Sequence, residues 1–171
     1  MKAITLWQPW ASLVCIKLNE TRSWYTKYRG PLAIHAAKTF PAVARDLCWR
    51  EPFLKHLLKR KLLQTSRAGR YEFRYLLPLG AIVSTTNLIE CCLIKADGLY
   101  RAPDGKSFSG PESCTEFYAP LPGEPERSFG DYTPGRYAWI LEDVRQLPEP
   151  IPAKGRQRLW KWEVPEGVNI P

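Results

Sequence analysis

No two of the five cysteines, at positions 15, 48, 91, 92 and 114, stand at C-x-x-C spacing, and their number is odd. Such a set provides neither a zinc-ligand pattern nor a disulfide framework, so reduced, buried thiols are expected, as in a cytoplasmic protein. No stretch approaches the roughly 18 apolar residues of a membrane helix. No apolar run follows Lys2, so a signal peptide is not expected either. A P-loop, a dinucleotide fingerprint and a metal-ligand cluster are all missing, which argues against bound cofactors or a metal. The chemistry that remains needs only a base, an oxyanion partner and a pocket, and hydrolysis is of that kind. Internal repeats and low-complexity tracts are absent too.

The 171 residues suggest one domain, at roughly 100–200 residues per domain. A chain of that length buries roughly 70% of its unfolded surface and needs no covalent staple. Aromatic residues are plentiful, with seven Trp, eight Tyr and six Phe, enough for a core and for surfaces on which bases stack. The net charge of +8 is unevenly placed. Residues 1–79 hold fifteen Lys/Arg against four Asp/Glu, a balance of +11, whereas residues 80–171 hold ten against thirteen, a balance of −3. A positive field concentrated in one half attracts phosphate backbones, so a nucleic acid or nucleotide is the partner that charge suggests. The same charge in a bland protein simply keeps it monomeric and in solution.

Along the chain, Lys2–Leu6 reads as a strand, Pro9 opens a helix from Trp10 to Leu18, and Glu20–Trp24 reads as an extended segment. A turn at Tyr28–Gly30 leads to a strand at Leu32–Ala36. Residues 40–64 read as two helices, the second with Lys55, Lys59, Arg60 and Lys61 on its polar face. Strands are expected at Leu79–Thr86 and Ile89–Ile94, the second continuing the first or following a kink. Residues 97–126 read as a loop-rich insertion, either a long loop or one with short helices, and strands return at Tyr137–Leu141 and Leu159–Val164. About six short strands with two helical interruptions and no β-α-β rhythm imply an α+β fold, a mixed sheet closed into a small barrel.

The residues with chemistry cluster early. Lys17, Glu20 and Arg22 put three charged groups of mixed sign within six residues, with Glu20 and Arg22 two apart on one face of an extended segment. Arg22 offers a planar fork for phosphate or a base edge, Lys17 a point charge, and Glu20 an orienting group or proton acceptor. A solvated cluster of loose ion pairs is the bland alternative. In Gly130–Arg136, two glycines and a proline make a tight turn, from which Tyr132 can stack on a base and Arg136 pair with phosphate. Trp7 and Trp10, flanking Gln8-Pro9, can stack in the same way or belong to the core. His35 reads as a core or cleft-edge histidine, and Lys59-Arg60-Lys61 as a solvated helix face or an extension of a phosphate track.

The spacing Lys17-x-x-Glu20-x-Arg22 resembles the G-x-K-x-x-E-x-R motif of the ASCH domain family, a branch of the PUA-like superfamily, with Cys15 where that family usually has Gly. The lead-in Ile4–Ala11, the follow-on Ser23-Trp24, and the blocks Tyr28–Lys38, Phe129–Trp139 and Pro150–Gly155 resemble, in collinear order, a bacterial and phage subgroup. The resemblance implies a single PUA-like barrel over residues 1–171 with helices packed at its sides. It also implies RNA or nucleotide binding in a cleft between the first helix and the sheet, lined by Lys17, Glu20 and Arg22 and joined by Trp7, Gln8, Tyr132 and Arg136. Some members resemble amidohydrolases of N4-acetylcytidine, with Lys and Thr at the positions of Lys17 and Glu20. Here the second position is Glu, and strand alternation turns the neighbouring Thr21 away. A catalytic pair would then be a Glu20-activated water with Lys17 holding the oxyanion. Other members resemble ribonucleases. The competing reading is a non-catalytic protein-interaction adaptor whose basic surface meets an acidic protein.

Overall fold

The computed structural model describes residues 1–17, 19–64, 74–96, 99–101, 119–120, 122–167 and 170. In chain order the elements are β1 (Lys2–Leu6), α1 (Trp10–Leu13), β2 (Asn19–Arg22), β3 (Gly30–Ala36), α2 (Ala42–Leu47) and α3 (Phe53–Lys59). They continue with β4 (Leu63–Gln64), β5 (Arg74–Tyr75), β6 (Ala81–Ile94), β7 (Leu99–Arg101), β8 (Ala119–Pro120), β9 (Tyr137–Pro152) and β10 (Leu159–Lys161). Short 3-10 turns lie at Val14–Ile16 and Glu126–Phe129. The class is mixed α+β, strand-rich with short helices. No helix among the described residues is long and apolar enough to cross a membrane.

The chain divides into two compact units: Met1–Cys15, Leu32–Thr85 and Arg145–Pro171 form the first, Ile16–Pro31 and Thr86–Val144 the second. In the first unit β1 lies between β3, parallel from Lys2↔Leu32 to Leu6↔Ala36, and β10, antiparallel through Ala3↔Trp160. The start of β6 pairs on the far side of β3. β1 buries Ala3, Ile4 and Leu6 rather than alternate residues only, as a strand covered on both faces does. Ala3, Ala33, Ile82, Leu147, Trp160 and Trp162 pack together in the core.

Helix α1 is shorter than the apolar spacing of residues 10–18 predicts. It ends at Leu13 and tightens into the 3-10 turn, where the β-branched Val14 and Ile16 favour helix weakly. Leu18 lies outside the described residues. The segment expected to be helical over 40–64 contains α2 and α3, which bury Ala44, Phe53 and Leu57 and leave Lys55 and Lys59 exposed, but helix stops at Lys59 and Leu63–Gln64 is the strand β4.

In the second unit β2 pairs antiparallel with β9, in the register Asn19↔Ile140, Glu20↔Trp139, Thr21↔Ala138 and Arg22↔Tyr137. The end of β6 pairs with β7, and β7 with β8. Cys92, Ile94, Tyr132 and Ala138 form one core cluster there, with Ile140 against it. The two strands expected at 79–94 are one continuous β6, since nothing between Thr86 and Ile89 breaks the ladder. β9 runs on to Pro152, well past the expected Leu141. Asp143, at φ 51°, takes a left-handed conformation that Asp tolerates. Pro148, Pro150 and Pro152 fall on alternate residues, so their missing N–H groups all face one strand edge and cost no bonds on the other. The final strand stops at Lys161 rather than Val164. Within the insertion expected at 97–126, the described residues include the strands β7 and β8 rather than loop or helix alone, and much of the remainder lies outside the described residues.

Candidate functional site

β2 carries the central charges. Lys17 leaves the 3-10 turn and its Nζ donates to Glu20 Oε2. Glu20 Oε1 faces Arg22 Nη2 at 3.3 Å, as expected of residues two apart on one strand face. The side chains differ in access: 2% of Lys17, 10% of Glu20 and 25% of Arg22 is exposed, so Arg22 is the member that can reach a ligand. Burial alone would push the Glu20 carboxyl up. The charges of Lys17 and Arg22, the Lys17 hydrogen bond and the charge of Arg136 outweigh it and hold Glu20 below the usual carboxylate range. Glu20 is therefore an ionised anchor between two cations, with an oxygen committed to each. Cys15, at the position where the resemblance expects glycine, sits in the 3-10 turn. Left-handed backbone among the described residues is confined to Lys61, Asp143, Arg158 and glycines, so Cys15 fits there without strain.

The turn at 130–136 is fastened to β2. Thr21, on the face opposite Glu20, accepts the Asp131 N–H at 2.9 Å through Oγ1. A Cβ on Gly130 would lie 2.7 Å from the Tyr132 ring and 3.1 Å from Thr21 Cγ2, so only glycine allows this approach. Asp131 Oδ1 accepts from Thr133 N at 3.1 Å and Thr133 Oγ1 at 2.6 Å. The hydroxyl bond leads the causes that hold the Asp131 carboxyl below its ordinary value. Arg136 Nε donates to Asp131 O at 3.1 Å and lies 3.2 Å from Oδ2, which fixes a partly exposed guanidinium whose charge reaches Glu20. Tyr132, read from the sequence as a stacking residue, is buried in the Cys92–Ile94–Ala138 cluster and serves packing.

The aromatic residue opposite Arg22 in the ladder is one the sequence reading did not single out. Tyr137 stands across the ladder from Arg22 and is half-buried. Its ring lies 5.6 Å from that of Tyr25. Arg29 is close by in the chain, donating to Thr26 O at 2.8 Å and pairing with Glu90. The signal that would have found Tyr137 is cross-strand register, which one strand's sequence does not contain. Beneath, Trp24 packs edge-on to the fully buried Trp139 at 4.7 Å.

Trp7 and Gln8 belong to the first unit. Trp7 is 50% exposed. Gln8 is fully buried: its Oε1 accepts Ser12 N at 3.1 Å, and its Nε2 donates to Ser12 Oγ and Pro78 O, each at 2.8 Å. It closes the start of α1 in place of a shorter capping residue. His35 is a core residue, its Nε2 3.0 Å from Ala153 O and its ring edge-on to Trp160, and burial pushes its pKa down. Of Lys59-Arg60-Lys61, the lysines are exposed and Arg60 bonds Gln146 Oε1.

Among the described residues no group of three or more His, Cys, Asp or Glu could hold a metal ion. Comparison of the chain with protein-family models and with curated proteins gave no match.

Proposed function

We propose that the second unit binds RNA or a nucleotide, in the manner the ASCH resemblance implies, through Arg22 and Arg136 with Tyr137 as the stacking surface. The observation that carries this reading is the graded burial of the Lys17–Glu20–Arg22 chain. The buried lysine neutralises the glutamate and leaves the outer arginine as a fixed, partly exposed cation, and Arg136 adds a second. A rigid guanidinium suits phosphate, and a tyrosine face beside it suits any base. Lys17 and Glu20 then act as positioning residues.

The hydrolytic alternative, with Glu20 as base and Lys17 on the oxyanion, has less support. Each group is already engaged by the other, and a carboxylate held low is a weak proton acceptor. Binding is tested by fluorescence anisotropy with a labelled single-stranded oligoribonucleotide. Arg22→Ala weakens binding severalfold while circular dichroism stays unchanged. Equal affinity of wild type and variant removes the site, and no RNA binding by either favours the adaptor reading.

A further inference from the structure

Beside Tyr137 the second unit repeats the arrangement found at Arg22. Arg22 is held by Glu20, and 25% of the arginine side chain is exposed against 10% of the glutamate. Arg29 is held by Glu90, and 27% is exposed against 12%. Glu90 Oε1 also accepts Cys91 N at 2.7 Å, which fixes the carboxylate on β6. Arg29 Nη1 donates to Thr26 O at 2.8 Å and to Tyr28 O at 2.9 Å. These bonds do not exhaust the donors of a guanidinium, and part of the Arg29 side chain meets solvent.

A run of neighbours links the two pairs. Arg22 stands opposite Tyr137 in the ladder, so the two side chains share a face. The Tyr137 ring lies 5.6 Å from the Tyr25 ring, tilted by 47°. Tyr25 in turn acts electrostatically on the Arg29 guanidinium. The order is therefore cation, ring, ring, cation. At that tilt neither ring lies flat on the other, and both tyrosines are only half-buried. A mononucleotide has one base and occupies one ring. Two adjacent unpaired nucleotides bring two bases for the rings and phosphates for the arginines. In a duplex the bases are paired and stacked on each other, so their faces do not reach a tyrosine.

We infer, on the reading of this unit as an RNA or nucleotide site, that its ligand is a single strand of at least two adjacent nucleotides, one base on Tyr137 beside Arg22 and the next on Tyr25 beside Arg29. A free mononucleotide fills half of such a site.

The test is calorimetric titration of the full chain with uridine monophosphate, the dinucleotide pUpU, an oligouridylate and an RNA duplex of equal length. Wild type should bind pUpU tighter than the monophosphate by about fivefold or more, the low end of what one stacked base is worth. The oligouridylate should bind tighter than the duplex. Tyr25→Leu, which keeps apolar bulk, should cut the preference for pUpU severalfold and leave the monophosphate unchanged. Tyr25→Phe should restore that preference. Arg29→Gln should weaken pUpU and spare the monophosphate. Equal affinity of wild type for pUpU and the monophosphate overturns the inference. So does a loss of equal size for both ligands in Tyr25→Leu and Arg29→Gln, or a duplex bound as tightly as the single strand. In each of these cases a monophosphate affinity that falls in Arg22→Ala keeps the nucleotide site itself, whereas no binding of any probe removes both.

Discussion

Arg22 Nη2 lies 3.3 Å from Glu20 Oε1, while the other oxygen of the same carboxylate accepts from Lys17. One buried anion thus holds two cations of unequal access. Removing it leaves Lys17, which is 2% exposed, with its charge uncompensated. Glu20→Gln is expected to destabilise the fold by about 3–5 kcal/mol, the range for breaking one side of a buried pair. Urea unfolding measures it, and a loss below about 1 kcal/mol, as for an exposed pair, contradicts the burial.

The pH dependence of stability carries two signatures. Glu20 is held below its ordinary value of 4.5, so its contribution is complete above that pH and disappears as the pH falls through the lower folded value. His35 is held below 6.5 by burial. Its unfolded form takes up a proton first, so stability also declines as the pH drops from 6.5 toward the lower folded value. Denaturation midpoints at successive pH values should fall in both windows. His35→Gln should flatten the upper window and Glu20→Gln the lower. Profiles parallel to wild type in both variants contradict these assignments.

Gly130→Ala places a methyl group 2.7 Å from the Tyr132 ring and 3.1 Å from Thr21. Overpacking of this kind costs about 1–3 kcal/mol. Thermal unfolding should register the loss, and the freed turn should also weaken RNA binding through Arg136. An unchanged melting temperature would mean that the turn is not fastened to Thr21.

Tyr137→Ala should lower affinity for a single-stranded oligoribonucleotide by about 1–3 kcal/mol, the worth of one stacked base, with Tyr137→Phe close to wild type. Calorimetric titration distinguishes the two. An equal loss in both variants assigns the effect to the hydroxyl instead.

The strand at Lys2–Leu6, the alternation that puts Glu20 and Arg22 on one face, and the core place of His35 were legible because each depends on neighbours in the chain. The length of β9 was not, since its prolines read as breakers until one sheet edge is known. The helix at residue 10 was overextended because apolar spacing says where a helix packs, not where its last hydrogen bond closes. At the candidate site, the spacing Lys17–Glu20–Arg22 was visible and its inward gradient was not. Tyr132 looked like a surface aromatic within a polar turn. Its burial depends on Cys92 and Ile94, some forty residues away in sequence. Tyr137 went unnoticed because its partner, Arg22, sits on another strand.

Binding by fixed guanidinium groups has one direct signature, the salt dependence of affinity. A labelled single-stranded RNA is titrated at several salt concentrations with wild type and with Arg22→Ala. If Arg22 contacts phosphate, the plot of log K against log salt is linear and its slope becomes shallower by about 0.7 in the variant. Identical slopes, with or without a change in affinity, would show that no phosphate meets Arg22.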